Sequence, residues 1–306
     1  MRLILHPGPP KTATSALQSW CYENRGVLAE NGIHYATVDT PHDPKHQWLM
    51  KALKQGDLSR LEDEIQLFQA GNAHTLILSC EGVMVNRSLL AAQTWHAFRT
   101  ILSDFDITLF MVRRDPERWL ASLWKQRIIN PVARGKILDV PDFEEFKNDK
   151  AVRQMIDLPT MSSVMQAETG ADRTVTAEMG PAMLAEFQAV LGLPTHVKTQ
   201  TLPIANEALP DAFISVYRQL ARHAEDGWLL RLAFFSVFAT IEPTNNIMIG
   251  NVARRYESAE PHVRARSLAC LLAALDAVVL TRESDLRLAG AVREMSKPWF
   301  RNCENC

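Results

Sequence analysis

The sequence predicts an α/β protein, with a parallel β-sheet flanked by helices and helical additions towards the C-terminal end. Three observations carry this. Short apolar runs, Leu3-Ile4-Leu5, Thr75-Leu76-Ile77-Leu78 and Ile107 to Val112, alternate with stretches of helical periodicity. Continuous apolar runs are what strands covered on both faces require, and the alternation is that of βαβ crossovers. Beyond about Asn206 the pattern is helical only. One domain spanning 1–306 is expected, with an α/β core over about 1–195 and a helical part over about 205–295.

The elements follow in order. Leu3 to Leu5 reads as a buried strand, and His6-Pro7-Gly8-Pro9-Pro10 stops it, because proline lacks the donor and fixes φ. Ala16 to Cys21 reads as a helix with Leu17, Trp20 and Cys21 on one face. Glu30-Asn31-Gly32 is a stop signal, and Ile33 to Ala36 a second strand. A polar loop over 37–45 follows, with His42 and His46 in or beside it. A helix begins near His46 and another covers Leu58 to Ala70. The strand at Thr75 to Leu78 runs into Ser79-Cys80-Glu81-Gly82, and a helix is expected over Arg87 to Leu102. Ile107 to Val112 ends in Arg113-Arg114-Asp115-Pro116, before a helix over Glu117 to Ile128. Residues 130–142, with Pro131, Gly135 and Pro141, read as loop, and Phe143 to Met155 as helix. Arg173 to Ala177 is a weaker strand, and Pro181 to Leu191 a helix closed by Gly192 and Pro194.

Composition narrows the function classes. The 306 residues carry 33 Lys+Arg against 35 Asp+Glu, a formal charge of −2, which argues against a general nucleic-acid binder. Met1-Arg2 leads directly into a strand with no longer apolar stretch. The two most apolar later stretches, Trp228 to Ile241 and Ser267 to Leu280, are interrupted by Arg231 and Asp276 and are short for a span. A cytoplasmic protein is expected. The five cysteines, at 21, 80, 270, 303 and 306, make no disulfide framework. Cys303-Glu304-Asn305-Cys306 is a terminal C-x-x-C, half a zinc site at most, and reads as tail.

The chemistry concentrates at two places. The first is Lys11-Thr12-Ala13-Thr14-Ser15, between the first strand and the first helix. Backbone N–H groups at a helix start, with a lysine and hydroxyls beside them, suit a phosphate or sulfate group. The loop does not match G-x-x-x-x-G-K-[ST], since Pro10 precedes the lysine and Gly8 lies three positions before it. The bland alternative is an ordinary strand-to-helix turn with a surface lysine. The second place is Arg114-Asp115-Pro116-Glu117-Arg118-Trp119-Leu120-Ala121-Ser122, with Arg114 and Ser122 eight positions apart. An arginine fork and a hydroxyl from the first turns of a helix suit a phosphate. Here the alternative is a helix start capped by Asp115, with Pro116 near its first position and Arg114 paired to a surface acid.

Together the two runs resemble sulfotransferases that use 3′-phosphoadenosine 5′-phosphosulfate (PAPS). Pro10-Lys11-Thr12-Ala13-Thr14-Ser15 resembles that family's 5′-phosphosulfate loop, and the Arg114…Ser122 run its 3′-phosphate motif. Ala13 stands where the family mostly has glycine, and Arg118 is displaced by one from the family's second arginine. Leu5-His6-Pro7-Gly8, Ser122-Leu123-Trp124-Lys125-Gln126 and Phe143-Glu144-Glu145-Phe146 look like bacterial members. The resemblance covers roughly residues 1–195. It implies a P-loop-like sulfotransferase fold and transfer of a sulfuryl group from PAPS to an acceptor hydroxyl or amine, without a metal. It implies that Lys11, Thr12, Ala13, Thr14, Ser15, Arg114 and Ser122 bind the cofactor, with Lys11 also catalytic. It also implies a His or Glu base near the end of a strand between the two cofactor motifs, for which Glu81, after Thr75 to Leu78, is the candidate; an N-cap or ion-pair carboxylate is the alternative. His6 reads as a strand-end residue, and Arg113 faces cofactor or solvent according to register. His46 is a candidate for the acceptor pocket, which loops such as 37–46 and 130–142 would build. Two other classes stay open: a nucleotide or small-molecule kinase with an atypical phosphate loop, and a non-catalytic nucleotide-binding descendant. The acceptor itself is a carbohydrate, lipid headgroup, peptide or small metabolite.

Overall fold

The computed structural model describes all residues except 41–42, 195–196, 198, 200–208, 243–246 and 305–306. His42 and Cys306 lie outside the described residues, and so does the side chain of Cys303. The strands among the described residues are β1 (Arg2–His6), β2 (Ile33–Tyr35), β3 (Thr75–Ser79), β4 (Asp106–Arg113), β5 (Val132–Arg134), β6 (Ile137–Asp139) and β7 (Arg173–Glu178). Five form one parallel sheet in the order β2-β3-β1-β4-β7, flanked by helices. The expected α/β class is therefore observed.

The apolar runs explain why these strands lie in the middle. Leu3 and Leu5 of β1, Leu76 and Leu78 of β3, and Ile107, Leu109 and Met111 of β4 point into one core. Ile4, Ile77, Phe110 and Val112 point into the other. The period of two sends neighbours to opposite faces, so a strand between two helix layers needs apolar residues at every position. Helices Gln47–Gln55, Ser59–Ala70, Ala92–Ile101 and Leu158–Thr169 cover the first face. Helices Thr14–Glu23, Arg25–Glu30 and Met183–Leu191 cover the second.

Several stretches differ from expectation. The helix expected over Arg87 to Leu102 is broken: a helix Gly82–Asn86 and a 3₁₀ turn Arg87–Leu89 precede Ala92–Ile101. The extended backbones of Leu90 and Ala91 make the break. Residues 130–142 contain the antiparallel pair β5–β6, whose two-residue turn uses Gly135 at φ 66°. The helix expected over Phe143 to Met155 restarts at Asp149, whose side chain accepts from the N–H groups of Ala151 and Val152. The helix Leu158–Thr169 was not foreseen; Asp157 caps it and Pro159 sits in its first turn.

Packing divides the chain into two compact units. One comprises Met1–Ser122 and Lys147–Ala205, the other Leu123–Phe146 and Asn206–Cys306. The second holds β5, β6 and the helices Asp211–His223, Gly227–Ile241, Ile247–Glu257, Pro261–Ala277 and Glu283–Glu304, around an aromatic core of Phe213, Tyr217, Phe234, Phe235 and Phe238. Among the described residues no helix is long and apolar enough to cross a membrane.

Candidate functional site

Sheet topology selects one edge. The connection leaving β1 leads to β2 on one side of it, and the connection leaving β4 leads to β7 on the other. A parallel sheet opens a crevice where adjacent strands send their chains in opposite directions, and ligands bind there at the carboxyl ends. The residues at those ends are the loop 7–15 after β1, Glu81 after β3, and Arg113 and Arg114 at the end of β4.

The loop is held open by its own backbone. Lys11 and Ala13 have φ of 64° and 62°, the left-handed region that L-residues visit only when the surroundings impose it. Four contacts impose it. The hydroxyls of Thr12 and Thr14 both donate to the Pro9 carbonyl, at 2.7 and 3.1 Å. The Trp119 indole Nε1 donates to the Pro10 carbonyl at 2.8 Å, and Arg114 Nη1 to the Lys11 carbonyl at 2.8 Å. Gly8, at φ 121°, packs where a Cβ would meet the Glu81 backbone at 3.5 Å. The helix Thr14–Glu23 then starts at Ala13 with no side-chain cap, so its first-turn N–H groups are served by no capping side chain.

The electrostatics favour an anion. Burial holds the Lys11 ammonium below its usual pKa, the Glu81 charge pulls it back up, and the charges of Arg114 and Lys45 push it down again. Burial, and then Arg118, likewise lower Arg114. Lys45 Nζ lies 4.0 Å from Glu81 Oε1. Three cationic side chains and one carboxylate thus share the carboxyl edge of β1, β3 and β4. Glu81 stands at the start of the helix Gly82–Asn86, yet its side chain caps nothing.

At the second motif, Asp115 caps the helix Pro116–Ile129 by accepting from the Arg118 N–H at 2.9 Å. Among the described residues no acid forms an ion pair with Arg114, which reaches the Lys11 carbonyl instead. Ser122 lies half-buried on the same helix, two turns on. Arg113 is exposed and ion-paired with Glu178, its register partner on β7.

The histidines leave the candidate list. His46 is wholly buried, and its ring is committed on both sides: Nδ1 accepts from the Ser79 N–H at 2.8 Å, so Nε2 carries the proton and donates to the Ala36 carbonyl at 2.9 Å. A ring so enclosed does not line an acceptor pocket. His6 is equally buried. Gln18 Nε2 donates to Ser79 Oγ at 3.1 Å, and His6 Nδ1 shares a hydrogen bond with the same hydroxyl at 2.8 Å. Desolvation lowers both rings to about pKa 4, so they are neutral at physiological pH.

Comparison with protein-family models, with curated proteins and with solved structures found no match. The functional reading therefore rests on the residues themselves. Sequence reasoning joined Lys11, Glu81 and Arg114 to one sheet edge. It missed Trp119 as a prop of the loop, and Gln18 and Ser79 as the hub beneath it. The Trp119 signal was legible only as an apolar position on a helix face, because its hydrogen bond runs to a residue 109 positions earlier.

Proposed function

We propose that the carboxyl edge of β1, β3 and β4 binds PAPS and transfers its sulfuryl group to an acceptor hydroxyl or amine, on a P-loop-like sulfotransferase core. The observation that supports this most is the hydrogen bond from Arg114 to the Lys11 carbonyl, which ties together the two runs that separately resemble the family's motifs. The donor set fits the group. Lys11 and the uncapped first turn of Thr14–Glu23 suit the 5′-phosphosulfate, and Arg114 with Ser122 suits a 3′-phosphate. When bound, PAPS supplies an activated sulfuryl group, whose sulfur–oxygen bond to the 5′-phosphate breaks as a bond to the acceptor atom forms.

The residues have separable tasks. Lys11 and the N–H groups of residues 12–15 neutralise charge that grows on the leaving 5′-phosphate. The left-handed backbone of Lys11 and Ala13 is held by contacts within the protein, so little reorganisation is required on binding. Glu81, whose charge acts on Lys11 and which lies 4.0 Å from Lys45, serves in this reading as the base that receives the acceptor's proton. The acceptor's oxygen or nitrogen keeps its electron pair for the new bond, and the proton moves to Glu81.

A labelled-sulfate transfer assay on a cell extract tests the proposal. Wild-type protein should label at least one acceptor in a PAPS-dependent manner. Lys11→Ala should lower kcat more than it weakens PAPS binding, since the lysine's charge matters most at the leaving oxygen. ATP-dependent phosphoryl transfer in place of sulfate labelling would favour the kinase reading.

A further inference from the structure

A second cluster of chemistry lies in the same unit and shares no residue with the loop site. The break at Leu90 and Ala91 leaves a crevice of about 370 Å³, lined by Arg87, Leu90, Ala92, Trp95, Arg99 and Glu168 among others. We propose that this crevice binds a small aminodicarboxylate, a ligand with two carboxylates, one amino group and a short apolar stem.

The argument is one of unmatched groups. Trp95 is 4% exposed, and its indole Nε1 is buried with no partner among the described residues. Glu168 Oε2 is buried and unpartnered too, while its Oε1 takes Arg87 Nη1 at 3.3 Å. Buried polar atoms are paired in the great majority of cases, so two orphans on residues that line one crevice ask for a partner. Both arginines converge here, for Arg99 Nη1 donates to the Glu168 carbonyl at 2.9 Å. The helix Ala92–Ile101 starts at the crevice with no side-chain cap, which adds the positive end of a helix dipole.

These demands define the ligand. Two guanidinium groups and one carboxylate give the crevice a formal charge of +1, which a ligand of charge −1 balances. The indole N–H and the uncapped helix start require acceptors, as do the arginine nitrogens left over. Glu168 Oε2 requires a donor, which an ammonium supplies. Leu90, Ala92 and Ala167 provide apolar wall for a methylene stem. A simple anion would leave Glu168 Oε2 unpaired; a simple amine would leave the indole unpaired and the net positive charge unbalanced. The volume is within the usual range for small-molecule sites. Burial, the larger effect, also holds the Glu168 carboxyl above its ordinary pKa despite Arg87.

The test is an indole ¹⁵N–¹H titration of the full chain, with the Trp95 signal assigned from Trp95→Phe. L-glutamate is the probe, and glutarate and γ-aminobutyrate, each lacking one group, are the comparisons. L-glutamate should move the Trp95 signal saturably and bind at least about tenfold tighter than either comparison. Arg87→Met should weaken glutamate, and Glu168→Gln should bring glutamate and glutarate to similar affinity. Trp95→Phe should lower the melting temperature only by what the lost ring volume in the core costs, while glutamate binding read by calorimetry weakens. No shift at Trp95, equal shifts from all three probes, or glutamate binding unaffected by both Arg87→Met and Glu168→Gln would overturn the assignment and leave the crevice to solvent.

Discussion

Ala13 holds a backbone conformation that costs an L-residue about 1–2 kcal/mol relative to the right-handed form. Glycine pays no such penalty but is freer when unfolded. Ala13→Gly should therefore raise unfolding stability by about 0.5–1 kcal/mol, measured by urea denaturation. A loss of stability would show that the alanine methyl makes a contact worth more than the strain. At Glu81 the competing roles separate cleanly. Glu81→Gln keeps the shape and removes the basicity, so turnover should drop roughly 10²–10⁴-fold with PAPS affinity nearly unchanged. Because the side chain caps no helix, melting temperature should barely move. Retained turnover would remove Glu81 from catalysis, and neither buried histidine offers a replacement at the surface of the site.

At the scale of elements, the loop 7–15 is shaped from outside as much as from within. Its departure from a glycine-rich loop was legible in Ala13, but the props that make alanine tolerable were not. Trp119 and Arg114 act over more than a hundred positions, and periodicity reports faces, not partners. Trp119→Phe removes one hydrogen bond and should weaken adenosine 3′,5′-bisphosphate binding about tenfold through the loop, measured by calorimetry. Unchanged binding would mean the loop keeps its form without the indole. The ends of β1 and β3 share a further dependence. His6 and His46 have pKa values near 4, below that of a free imidazole, so the unfolded chain takes up protons that the folded chain refuses. Their stabilising contribution is complete above about pH 6.5 and is lost as pH falls towards 4, at up to about 1.4 kcal/mol per pH unit for each ring. Denaturant unfolding between about pH 7 and pH 5 should show this slope, and His46→Gln should reduce it. A ring titrating near 6.5 in the folded protein would contradict the burial argument.

For the whole molecule, the α/β core was readable because β1, β3 and β4 carry consecutive apolar residues, Leu3 to Leu5, Leu76 to Leu78 and Leu109 to Val112, the pattern of strands covered on both faces. The β5–β6 pair was not, since strands of three residues carry too little alternation to register. The C-terminal helices were legible as helices but not as a core of their own, because an aromatic cluster assembled from separate helices leaves no local signature. The site was legible where two runs of sequence stand at the ends of β1 and β4, and illegible where burial decides, as with His46. The account depends on that sheet edge recognising two phosphate positions at once. Calorimetric titration with adenosine 3′,5′-bisphosphate and with adenosine 5′-monophosphate, on wild type and on Arg114→Ala, tests it most directly. Wild type should prefer the bisphosphate by about 1.5–3 kcal/mol, the scale of charge-assisted contacts, and Arg114→Ala should erase the preference even if loosening of the loop weakens both ligands. Equal affinity of wild type for the two nucleotides, or a preference that survives in Arg114→Ala, would contradict it.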